Sequence, residues 1–182
     1  MSVENLVYGS VTRFVENGEG GKEVLHWVDS DLSRTSYTYS YFERESNRVA
    51  QVLRALGINP GDTVSIFIPR SPMLISCFFG ILKLQAISSI LFGTLGEEGL
   101  LDRLSNSNAR VVITRKSLLR KIVSIKEKLP ALEHILVIDI EYRVVLIQTS
   151  ILGMVLFFIY GWIMHNLWTT LAGGLAGFLI ML

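Results

Sequence analysis

Cysteine occurs once in the 182 residues, at Cys77, which excludes an internal disulfide and is compatible with a reducing compartment. Proline occurs four times, and none lies beyond Pro130. Charge is absent altogether from Val144 to Leu182, so all 17 basic and 16 acidic residues fall in the first 143. Neither sign dominates there, and a net charge of +1 offers no electrostatic attraction for nucleic acid or for an acidic partner. The N-terminus MSVENLVYGS lacks a basic region followed by an apolar run, so no signal peptide is expected. Half the residues are hydrophobic and the mean hydropathy is +0.44, high for a soluble domain. The uneven spread of charge assigns that excess to the tail.

What is present before the tail alternates between helical and extended patterns. Ser40 and Glu43 have the spacing of a capping box, the apolar set Val49, Val52, Leu53 and Leu56 recurs at helical spacing, and Gly57 stands where a left-handed terminus belongs. An amphipathic helix over 41–56 is predicted. Pro60-Gly61-Asp62 makes a turn, and Thr63 to Ile68 has the length and composition of a buried parallel strand. Ser71 is placed to cap a helix with Pro72 at its first position, running through Leu84. The same reasoning predicts strands at 86–92, 110–114 and 134–140, a helix at 97–105 with acids in its first turn, and one at 117–129 closed by Pro130. Strands separated by helices at this spacing require crossover connections. The predicted fold class is α/β, an incomplete doubly wound parallel sheet with flanking helices over residues 1–140.

Residues 141–182 form a second, charge-free segment. Val144 to Met164 is long enough, at about 1.5 Å per residue, to cross a hydrocarbon core of about 30 Å as a helix. The Gly-rich run 167–182 is shorter and suits the return leg of a hairpin, with Trp162 and Trp168 flanking the break at His165-Asn166. Three readings stay open: a transmembrane tail behind a cytoplasmic N-terminal domain, core elements of a larger protein, or translation out of frame.

Three blocks between Tyr37 and Asp139 carry a resemblance. They are YTYSYFERESNRVAQVLRALGINPGDTVSIFIPRSP, ILKLQAISSILFGTLGEEGLLDRLSNSNARVVIT and LEHILVID, preceded by the lead-in NLVYGSVTRFVENGEGGKE and VLHW. Together these resemble the N-terminal part of the AMP-forming acetyl-CoA synthetases, in the adenylate-forming acyl-CoA synthetase family, over roughly residues 5–139. The resemblance implies an α/β fold and a family reaction in which acetate, ATP and CoA give acetyl-CoA, AMP and pyrophosphate, with ATP, Mg and CoA as the family's cofactors. It also implies that the chain is truncated. The family's phosphate loop is rich in Ser, Thr and Gly and ends in Pro-Lys-Gly. Here its nearest echo is Thr149-Ser150-Ile151-Leu152-Gly153-Met154, which lacks the central Gly-Thr-Thr and a following Lys. The family's acyl pocket, ribose-binding Asp and C-terminal Lys would lie beyond residue 182. No catalytic, cofactor-binding or metal residue is therefore assigned, and no cofactor is expected for this chain.

Two positions depart from the family's pattern. Gln85 stands where a Gly of a Gly-Ala pair is usual, and Ile90 where a Pro is usual, so strain or loosening is expected at that turn. Two classes of function follow: a truncated acetate–CoA ligase homologue that is inactive alone, or a membrane-anchored α/β interaction module without catalysis. A complementing chain supplying the missing loop would make a split enzyme.

The remaining motifs read as structural. Gly18-Glu19-Gly20-Gly21 is expected to be a surface turn and Gly93, Gly96 and Gly99 a loop entering a helix. His26, His134 and His165 lack partners at metal-ligand spacing. Cys77 falls in an apolar helix as a small hydrophobe. Lys116, Arg120, Lys121, Lys126 and Lys128 are expected to form a solvated face, with anionic lipid as the lesser alternative.

Overall fold

The computed structural model describes residues 6–29, 31–138 and the backbone of 144–146. The chain divides into two compact units, 1–143 and 144–182. In the first, a short π-helical turn (Tyr8–Thr12) leads into α1 (Arg13–Glu16). An antiparallel hairpin follows, β1 (Glu23–Val28) with β2 (Arg34–Thr38). The strands predicted from the sequence all lie downstream of this hairpin. Its tip is held by the Asp29 N–H to Ser33 carbonyl bond at 2.9 Å and by Asp31, whose carboxylate accepts the Ser33 N–H at 2.9 Å.

The helix predicted at 41–56 is α2 (Tyr39–Ala55), and it starts differently from the capping-box reading. Thr38, not Ser40, is the cap, its hydroxyl accepting the Tyr41 N–H at 3.3 Å. Ser40 is inside the helix, where its N–H donates to the Gly20 carbonyl at 2.9 Å. Glu43 turns away to accept from Thr12 and Asn47 and to pair with Lys83 at 2.9 Å. Burial alone would raise the Glu43 pKa, but hydrogen bonds from Lys83 and Thr12 and the Lys83 charge hold it below its ordinary value.

β3 (Thr63–Phe67), α3 (Pro72–Lys83), β4 (Ile87–Ile90), α4 (Glu97–Ser107), β5 (Val111–Thr114), α5 (Lys116–Val123) and β6 (His134–Ile138) then alternate. Ser71 occupies the cap of α3, yet its hydroxyl donates to the Pro69 carbonyl at 3.3 Å and caps nothing. The continuous helix expected over 117–129 is broken. It ends at Val123 and resumes as a 3-10 turn at Lys126–Lys128, letting Ile122, Ile125, Leu129 and Leu132 all reach one core.

β4, β3, β5 and β6 hydrogen-bond in that order, each pair parallel, with Ser65 opposite Ser89 and Val112, and Ile113 opposite Leu136. Right-handed crossovers decide where the helices go. The step β3–α3–β4 moves one way along the sheet, and β4–α4–β5 and β5–α5–β6 move the other way, so α3 lies on the face opposite α4 and α5. Phe67 and Val112 meet Leu100, Leu104 and Ile122 on the second face. Val64, Ile66, Val111 and Ile113, all 0% exposed, alternate with them and line the first. The doubly wound expectation is met.

Three helices end on a left-handed residue. Gly57 (φ +76°) closes α2, with the Gly57 N–H on Arg54 and the Ile58 N–H on Leu53. Asn108 (φ +47°) closes α4. Gln85 (φ +57°) closes α3 with the same paired bonds, from Gln85 N–H to Leu82 and Ala86 N–H to Ile81. The strain expected where glutamine replaces the family's glycine is therefore real and has a location.

Of the second unit, the described residues are the strand β7, Val144–Leu146. A helical tail beginning at Val144 is corrected for these three residues. The remainder of the predicted membrane hairpin, 147–182, lies outside the described residues. No described helix is long and apolar enough to cross a membrane.

Two substitutions test this packing. Alanine for glycine within a helix ordinarily stabilises by about 0.5–1 kcal/mol. In α3, however, a Cβ on Gly80 would lie 2.6 Å from the Val49 Cβ and 2.9 Å from the Ser46 carbonyl of α2. Gly80→Ala is expected to destabilise by about 1–3 kcal/mol in urea unfolding; a gain would show that α2 and α3 do not touch there. Gln85→Gly is expected to stabilise by up to about 1 kcal/mol, relief of the left-handed strain exceeding the added freedom of the unfolded chain.

Candidate functional site

A parallel sheet places its connections at defined ends, and the point where successive crossovers diverge leaves an opening beyond the strands' carboxyl ends. Here divergence falls between β3, which leads to β4 on one side, and β5, which leads to β6 on the other. The Thr114 hydroxyl, buried at the end of β5, donates to the Phe67 carbonyl at 3.0 Å and ties the two strand ends together.

Just past them lies a cleft of ≈ 280 Å³. Arg70, Ser71, Pro72 and Met73 form its wall from β3 into α3, Arg115 follows β5, and Ile138 ends β6. Trp27, Asp29, Thr35 and Tyr37 of the β1–β2 hairpin line the other side. Arg70 is exposed and Arg115 half-buried, and neither guanidinium has a hydrogen bond or ion pair among the described residues. The start of α3 adds the positive end of its dipole, since Ser71 leaves the first turn without a side-chain cap.

The opposite end of the same strands is electrostatically closed. Arg110 precedes β5, Asp62 precedes β3 and Glu133 precedes β6. The guanidinium donates to Asp62 and, through two nitrogens, to Glu133 at 2.9 and 2.7 Å. Asp62 is held below its ordinary pKa by the Asn59 N–H and by Arg110. Glu133 is lowered chiefly by its hydrogen bond from Arg110, and Arg110 is itself raised.

The motifs noted in the sequence are not brought together at the cleft. Gly18-Glu19-Gly20-Gly21 is a turn after α1, as expected, and Gly20 is buried so tightly that a side chain there would strike the Ser40 hydroxyl. Gly93 and Gly96 lie in the loop into α4. That loop is pinned by carbonyl oxygens, with Lys121 donating to Leu95 at 2.8 Å and to Gly93 at 3.4 Å, so Lys121 leaves the expected solvated face. His26 is in the hairpin and touches Ser36 at 3.0 Å, and His134 starts β6. His165 and the phosphate-loop echo at 149–154 lie outside the described residues. Burial pushes the Cys77 thiol up to about 12. Neither Arg70 nor Arg115 belongs to a sequence motif. Their only signal was position, each within three residues after a predicted strand.

A family model of the AMP-binding enzymes matches residues 13–150. The chain belongs to the AMP-binding enzyme family. It is 38% identical over 138 residues to the acetyl-coenzyme A synthetase of Bacillus subtilis (strain 168), covering 75% of this chain and 24% of that protein. It is 31% identical over 125 residues to the 3-hydroxypropionyl-coenzyme A synthetase of Sulfurisphaera tokodaii, covering 68% and 19%. Among solved structures it resembles the acyl-CoA synthetase of Brucella canis, with a TM-score of 0.66, 25% identity, and coverage of 74% of this chain and 24% of that one. An anthranilate CoA ligase in complex with anthranoyl-AMP gives a TM-score of 0.64, 30% identity, and coverage of 72% and 24%. The chain thus spans about a fifth to a quarter of the length of these relatives, and the expected kinship with the N-terminal part of acetyl-CoA synthetases holds.

The Arg110 cluster predicts a pH signature. Carboxylates whose pKa is depressed on folding stabilise above their unfolded values and lose that contribution as pH falls through the folded ones. Arg110→Ala is expected to lower the urea midpoint at pH 7. The gap to the unsubstituted chain should narrow as pH drops below the ordinary values of 4.5 for Glu133 and 3.8 for Asp62. A gap constant from pH 7 to pH 3 would show that the ion pairs do not stabilise the fold.

Proposed function

We propose that residues 5–139 are the N-terminal subdomain of a ligase that joins acetate to coenzyme A using ATP, and that the 182-residue chain alone does not complete that reaction. One observation carries the reading: 38% identity to an acetyl-coenzyme A synthetase over 75% of this chain, with only 24% of that protein's length covered. The sequence supports the second half. Its four prolines are followed by Gly61, Arg70, Met73 and Ala131, so it contains no Pro-Lys-Gly and no loop of the Ser, Thr and Gly type that would end in one. Backbone N–H groups in such a loop neutralise phosphate charge as it develops, and the 182 residues alone do not supply that means of stabilising it.

The sheet and helices described above would then serve as a scaffold, and acyl specificity would reside in the part of a full-length ligase that these residues do not include. The test is release of pyrophosphate by the purified chain with ATP, Mg and acetate. Release indistinguishable from a buffer blank is expected, and clear turnover with several acyl substrates would overturn the reading.

A further inference from the structure

We propose that the cleft at the carboxyl ends of β3, β5 and β6 binds a small oxyanion, a carboxylate or a phosphate group, between Arg70 and Arg115. Three observations converge on it, none resting on the ligase reading. First, Arg70 and Arg115 come from the two connections that diverge at the switch point, and both residues line one cleft of ≈ 280 Å³. Second, neither guanidinium has a hydrogen bond or ion pair among the described residues; exposed Arg54, Arg103 and Arg120 share that state, but Arg70 and Arg115 combine it with a place in the cleft wall. A guanidinium presents a planar fork of donors matched to two oxygens of one anion. Third, α3 begins in the same wall with no side-chain cap on its first turn, directing a positive dipole end to the same space.

Among the described residues Asp29 is the only carboxylate lining the cleft, so two described cations face one described anion there. This balance favours a ligand of low negative charge and makes a prediction of opposite sign for the two kinds of residue. Removing either arginine should weaken binding, and removing the Asp29 charge should strengthen it. The half-buried rings of Trp27 and Tyr37 limit solvent on the hairpin side, which raises the value of each charge contact.

The experiment titrates the full 182-residue chain with inorganic phosphate and, separately, with propionate at constant ionic strength, following backbone amides at Met73 and Arg115 by NMR. Saturable shifts are expected with at least one probe, and the tighter one assigns the class. Arg70→Gln and Arg115→Gln should each weaken binding at least tenfold, and Asp29→Asn should tighten it severalfold. Unchanged amide spectra away from the cleft show that each variant is folded. Absence of saturation with both probes, or binding unmoved by either arginine substitution, overturns the site.

Discussion

The four strands β4, β3, β5 and β6 of the first unit run the same way, and a chain that builds such an arrangement must return each time by a crossover of one hand. That constraint leaves little else free. It sends α3 to one face and α4 and α5 to the other, buries both faces, and explains why β3 and β5 are buried at almost every position instead of alternating between buried and exposed. It also creates the opening where the connections part. The cleft is therefore a by-product of topology before it is a feature of any side chain, and Arg70 and Arg115 matter because they sit on the two diverging paths.

Short connections between strand and helix demand abrupt reversals, and here they are made by left-handed helix ends. Gly57, Gln85 and Asn108 do the same geometric work with decreasing conformational ease from glycine to asparagine to glutamine. The Gln85 carbonyl then accepts the Gly61 N–H at 3.0 Å, so the reversal after α3 is bonded to the reversal before β3. A strained residue persists there because its neighbours on both sides are fixed.

Charge is placed with the same dependence on strand direction. At the amino ends of β3, β5 and β6, Arg110 holds two acids and leaves nothing for a ligand. At their carboxyl ends, two arginines face a cleft with no ion-pair partner among the described residues. Membership of the AMP-binding enzyme family agrees with this polarity, since ligands of open α/β sheets gather at the carboxyl ends of strands.

Local signals in the sequence determined the helices α2, α3 and α4, the strand β3, the left-handed turn at Gly57 and the parallel α/β class, because hydrophobic period and helix-terminal glycine act within a few residues. Kinship over most of the chain was equally legible. What required the tertiary structure was everything that depends on residues far apart in the chain. Glu43 was read as a local cap, but it is bonded to Thr12 and Lys83. Lys121 was read as solvated, but two carbonyls 26 and 28 residues away bind it. The break in the last helix follows from four apolar side chains sharing one core, and the cleft from two connections, the end of β6 and a hairpin meeting in space. Sequence periodicity reports which way a side chain faces; only the packed fold decides what it meets there.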